Sequence, residues 1–87
     1  MISFQYGYRI NNSKIDSLEI ELTKTKHDTA KAHLLEKIAG EHSINTNYQK
    51  SIEFYLEAKK IYFKLNDKNN EGASLNLIGA QYYYLKN

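Results

Sequence analysis

The chain has 87 residues, no Cys, no Pro, four Gly and a formal net charge of +2 from 12 basic and 10 acidic side chains. A chain this short forms one small domain that buries about 60 to 65% of the surface its unfolded form exposes, and without Cys it has no disulfide, thiolate metal site or cysteine nucleophile. The two charge signs alternate along the sequence, which argues against nucleic acid or an anionic membrane as partner, and no apolar run approaches the roughly 18 residues that membrane insertion requires.

Residues 1–12 show no sustained period and close on Asn11-Asn12-Ser13, a turn-and-cap cluster. They read as a loose lead-in, with Phe4 and Tyr6 as candidate packing residues, and lack the basic region and apolar core of a signal peptide. As given, the sequence is expected to be cytoplasmic, or periplasmic if a signal peptide stands upstream of Met1. Ser13, a good N-cap with Asp16 in the first turn, opens a helix over about 13–25 whose apolar face is Ile15, Leu18 and Leu22. Asp28 is the cap expected for a second helix over about 28–43, where Leu34, Leu35, Ile38, Ala39 and His42 form a stripe wide enough to be buried on two sides.

Ile44-Asn45-Thr46-Asn47 is a hairpin-type turn, in which Asn45 or Asn47 is the expected left-handed residue because Asn adopts that conformation more cheaply than a β-branched side chain. The third helix, about 47–65, carries Tyr48, Ser51, Ile52, Tyr55, Ala58, Lys59 and Tyr62 along its inner face, with Leu56, Phe63 and Leu65 thickening it. Asp67 is placed to cap the fourth, about 68–86, with Leu75, Leu77, Ile78, Tyr82 and Leu85 as its apolar residues. The fold class expected is all-α, built of antiparallel helical hairpins. The core expected in the last helix includes Tyr82.

Within that series a pattern recurs. Leu35, Ile38, Ala39 and His42 each find a counterpart 40 residues on, at Leu75, Ile78, Gly79 and Tyr82, and the turn residue Asn47 meets Asn87 at the same offset. One order of large, large, small and ring residues at a single offset is a repeat signal. These positions resemble the tetratricopeptide repeat, whose first helix asks for a large apolar residue, then Leu or Ile beside Gly or Ala, then an aromatic. Its second helix asks for small, aromatic and small residues, here Ser51, Tyr55 and Ala58. Thr46 and Lys86 stand where the family favours a turn Gly, Phe63 stands near the place of its usual Pro, and the 40-residue spacing exceeds the family's usual value of about 34. This looks like the long-repeat variety found in bacterial signalling proteins. The Ile15–Leu22 helix then reads as the outer helix of a preceding degenerate unit or as an N-terminal cap.

The resemblance implies an α-solenoid fragment over 13–87 and a scaffold that binds a protein or peptide. By the family pattern the binding groove falls at His33, Glu36, Gly40, Ser43, Ile44, Ala73, Asn76, Ala80, Tyr83 and Tyr84. Glu36 and Asn76 occupy the family's Lys positions, and Gly40 and Ala80 its Asn positions, so the carboxylate clamp is absent and chaperone C-termini are not expected ligands. Leu75, Ile78 and Tyr82 lack a following helix in this reading, which points to self-association through the last helix.

Candidate chemistry is sparse. His33 and Glu36, three residues apart, supply only two ligands of a metal site. No nucleophile elbow or Gly-rich phosphate loop is present, and Tyr82-Tyr83-Tyr84 lacks the basic track that single-stranded nucleic acid requires. No cofactor or enzymatic activity is expected. The segment Ala32-His33-Leu34-Leu35-Glu36-Lys37 resembles the phosphoacceptor helix of histidine phosphotransfer domains, although Lys37 and Ile38 depart from its Lys-Gly pair. Lys14-Ile15-Asp16-Ser17-Leu18 with Asp28-Thr29 resembles the start of the repeat region in exported sensor segments of two-component histidine kinases. The alternative function is therefore a sensor or phosphorelay segment of such a kinase.

Overall fold

In a computed structural model that describes residues 2–86, with side chains from Ser13 onward, the chain folds into helices α1 (Ile2–Lys24), α2 (Asp28–Ile44), α3 (Tyr48–Lys64) and α4 (Lys68–Lys86). Each packs on the one before it, α2 on α1, α3 on α2 and α4 on α3, which makes the fold all-α and hairpin-based. The Cα trace measures 48 × 36 × 13 Å, a slab of the thickness expected for two helical layers about 8–10 Å apart.

Two turns set this zigzag, and they are alike. After α2, Thr46 N–H donates to Ser43 C=O (2.9 Å) and Asn47 N–H to His42 C=O (2.7 Å); after α3, Asn66 N–H donates to Phe63 C=O (3.0 Å) and Asp67 N–H to Tyr62 C=O (2.9 Å). This is the Schellman arrangement, which satisfies the last carbonyls of a helix by placing one residue in the left-handed region. Those residues are Thr46 (φ 61°) and Asn66 (φ 59°). At the first turn the left-handed residue is thus Thr46, between the two asparagines expected, because the bond from Asn47 back to His42 fixes the intervening position. A β-branched residue there is held against a local preference of about 1–2 kcal/mol.

Helix starts differ from the sequence reading in two places. Residues 2–12, expected as a loose lead-in, have helical backbone in α1, so Ser13 lies within a helix and caps none; the Phe4 and Tyr6 side chains lie outside those described. Asp28 is the first residue of α2, whose N-cap is His27, and its carboxylate acts there through the helix dipole. Asp67 does cap α4: its Oδ1 accepts from Asn70 N–H (3.2 Å) and its Oδ2 from Asn70 Nδ2 (2.8 Å), and these bonds hold its carboxyl below the usual carboxylate range.

The core lies along α3 in two clusters, and Leu56, Phe63 and Leu65, expected to thicken that inner face, are exposed because they fall on the side of α3 turned away from α2 and α4. Ala32 and Leu35 cluster with Ala58 and Tyr62, and Leu22 of α1 packs on that cluster; Ala39 clusters with Ile52, Tyr55 and Ile78. Small residues on α2 thus lie among the rings of α3, which lets the two helices approach closely. The His42 ring is buried and stacked on Phe54 at 5.4 Å.

The period of 40 extends to the architecture: α1 ends at Lys24 and α3 at Lys64, while α2 begins at Asp28 and α4 at Lys68. Ile15, Leu18 and Leu22 of α1 stand 40 residues before Tyr55, Ala58 and Tyr62 of α3. Likewise the residues that α4 buries, Ser74, Ile78 and Gln81, correspond to Leu34, Ile38 and Glu41 of α2. Of these, Leu34 and Ile38 are buried and Glu41 pairs with Lys14 of α1 at 3.2 Å.

The other side of α4 differs from that of α2. Leu75 is 56% exposed where Leu35 is 7%, and Tyr82 is 55% exposed where His42 is 8%. Tyr82 is therefore a surface residue and no part of the core expected from the sequence, whereas Ile78, expected on the open face beside Leu75 and Tyr82, is turned the other way and buried against Ala39, Ile52 and Tyr55. The position of Tyr82 in the pattern meets a following helix, and among the described residues no helix takes that place.

Candidate functional site

The surface formed by α2 and α4 is built over α3. Glu36 ties the three helices together: its Oε1 accepts from the Tyr62 hydroxyl (3.0 Å) and its Oε2 from the Ser74 hydroxyl (3.4 Å). Burial, with the Glu36 carboxylate adjacent, pushes the Tyr62 phenol far above its ordinary range, so it remains a neutral donor. Tyr55 is pushed up by the same two causes. A Cβ added at Gly40 would lie 3.9 Å from the Tyr55 hydroxyl, which places Gly40 beside the hydroxyl end of that side chain. The His33 ring lies 6.2 Å from that of Tyr62, at the same end as Glu36.

At the other end the Tyr48 and Tyr84 rings meet at 5.3 Å, joining the start of α3 to the end of α4, and Tyr83 meets Tyr84 edge-on at 6.0 Å. Ser43 and Ala80 are half-buried, while Ala73, Asn76 and Ile44 are exposed, Ile44 at 72%. Of the expected groove residues, His33 and Glu36 form a polar end, tied through Glu36 to the buried Ser74, Gly40 and Ala80 a shallow middle, and Tyr83 and Tyr84 an aromatic end. Tyr48, Tyr62 and Ser74 are absent from the groove expected from the sequence, because their contacts cross between helices. The only sequence signal for Ser74 was a hydroxyl among the apolar positions of α4.

Surface hollows also occur on the opposite face. Leu22, Lys31, Leu35, Glu57 and Ile61 line one where α1 and α3 both flank α2, and Glu53, Phe54, Leu56, Glu57 and Lys60 line another on α3. Among the described residues, no three His, Asp or Glu side chains are grouped to hold a metal ion, and no helix is long and apolar enough to cross a membrane. No family model, curated protein or solved structure matches the chain.

Proposed function

We propose that this chain is a non-catalytic scaffold of the long tetratricopeptide-repeat kind, which binds a protein or peptide along the surface of α2 and α4. The observation that carries the reading is the Glu36 bridge to Tyr62 and Ser74, which holds the two ligand-facing helices side by side on α3. A rigid support of this kind lowers the ordering penalty on binding. Glu36 retains acceptor capacity beyond its two protein donors, and the Tyr83–Tyr84 end supplies broad ring surface of the sort that dominates protein contacts. The open face of α4 is a second contact surface, through which the scaffold self-associates.

Selection of peptides from a displayed library on the immobilised protein tests this. Binding of the selected peptides is expected to be lost in Ile44→Asp and Tyr84→Ala and retained in Glu53→Ala. A library that yields no binder, or binders indifferent to both groove substitutions, overturns the reading. The alternative, a sensor or phosphorelay segment of a two-component histidine kinase, draws on the exposure of His33 on α2, since a phosphoacceptor imidazole must be accessible. Acid-labile phosphate acquired from a phosphorylated response regulator, and absent in His33→Gln, would favour it over the scaffold.

A further inference from the structure

We propose that the open face of α4 is a docking surface for the same face of a second copy of this chain, the two α4 helices lying antiparallel with Leu75 of each seated over Gly79 of the other and Tyr82 over Gly72. The inference rests on the self-association proposed above and is independent of the groove. Within this one molecule, the repeat shows what such a face is for. Ala32, Leu35, Ala39 and His42 are all buried in α2, and Ala32 and Ala39 share their clusters with the rings of Tyr62 and Tyr55. Their counterparts 40 residues on are Gly72, Leu75, Gly79 and Tyr82. Leu75 and Tyr82 are exposed, and a Cβ placed at Gly72 or Gly79 would meet nothing within 4 Å. The face therefore repeats the small and large alternation of one that is seated against a helix, with its small positions reduced further to glycine.

The seam itself says which helix fits. Lys68, Gly72, Leu75, Gly79, Tyr82 and Lys86 follow one another at spacings of four, three, four, three and four, the heptad-like course of a helix that packs along its length. Those spacings read the same in both directions. Reversing the series about its centre sets each large side chain against a glycine and leaves the two lysines at the solvated ends, where long cationic chains keep their heads in water. It also places Glu71 within one helical turn of Lys86 of the second copy. Two glycines in an exposed helix disfavour the helix; close approach of a partner backbone gives both positions a purpose.

Sedimentation across a concentration series, with Gly79→Leu and Leu75→Ala beside the unaltered chain, tests the proposal. The unaltered chain is expected to dimerise, and each substitution to weaken the dimer by about tenfold or more, a factor that corresponds to roughly 1.4 kcal/mol. Gly79→Leu separates this seam from generic stickiness: it enlarges the exposed apolar surface and favours the helix, so nonspecific association would rise, whereas a filled glycine position must repel the incoming Leu75. The chain has no Cys, so mixed Leu75→Cys and Gly79→Cys chains report register, with the cross-disulfide expected to form ahead of either like-with-like product. A monomer at all concentrations overturns the proposal, as does undiminished association of Gly79→Leu. So would a monomer that instead binds a peptide of the 47–66 sequence, which would assign the face to a helix of the α3 kind.

Discussion

The faces of α2 and α4 that carry residues 32, 35, 39 and 42 and residues 72, 75, 79 and 82 differ little in pattern and greatly in environment. The first is sealed by α3, and the second is open. Hydrophobic patterning along a helix therefore records which face is built to be covered, while burial depends on whether a complementary helix is present. The comparison can be broken most directly at the rings. Tyr62→Ala should destabilise the fold by roughly 3–5 kcal/mol, since it empties a fully enclosed site and removes a donor from Glu36. Tyr82→Ala should stay within about 0.5 kcal/mol at protein concentrations below association. Equal urea midpoints for the two variants would show that α2 and α4 are not covered as described.

The small residues sharpen the same contrast because the expected signs are opposite. Ala39 is fully enclosed by Ile52, Tyr55 and Ile78, so Ala39→Leu should destabilise by about 1–3 kcal/mol through overpacking. At Gly79 there is open space, and Gly79→Leu should stabilise the monomer by roughly 0.5–1 kcal/mol, the difference in helix propensity. Thermal unfolding at low concentration reads both, and destabilisation by Gly79→Leu would mean that something already covers α4.

Much of this fold is written at short range. The stripes Leu34–His42 and Ser51–Tyr62 have one dominant period each, and the positions related by 40 residues lie on α2 and α4. What escaped the sequence depends on partners. Ser13 looks like a cap because its own residue type and Asp16 satisfy the local rule, yet the helix runs through it. Tyr82 looks like core because its register is that of His42, and register carries no information on whether a neighbour arrives. The groove residues were legible only as positions on α2 and α4; the link from Glu36 to Tyr62 and Ser74 spans separations of 26 and 38 residues, and no local pattern encodes it.

The two Schellman turns differ in one side chain that bears on stability. Thr46 and Asn66 hold nearly the same backbone angle, but Asn enters the left-handed region readily and Thr does not. Thr46→Gly should therefore stabilise the fold by about 1 kcal/mol, while Asn66→Gly changes it by only a few tenths. Equal shifts in the urea midpoint for both would show that the β-branched side chain at the first turn carries no penalty.

The smallest expected difference separates His42 from Tyr82, the ring residues at the same place in the repeat. Burial is the main cause that holds the His42 pKa below its ordinary 6.5; Lys50 on α3 acts in the same direction, while Glu19 on α1 and Glu53 on α3 oppose it. The His42 Nε2 is buried with no hydrogen-bond partner, so protonation in the folded state would place a charge where it is poorly solvated. Above pH 6.5 the imidazole is neutral whether the chain is folded or not, and the full stability is present. As the pH falls below 6.5 the unfolded chain takes up the proton first, so stability declines until the lowered folded-state pKa is passed and then levels off. This window lies well above that of Asp67, whose depressed carboxyl pKa contributes stability that is lost only on acidification below its ordinary 3.8. His42→Phe keeps a ring against Phe54 and has nothing to titrate, so its urea midpoint should be flatter than that of the unaltered chain just below pH 6.5. Parallel profiles for the two proteins through that window would mean that His42 is solvated in the folded chain and that its ring is not sealed against Phe54.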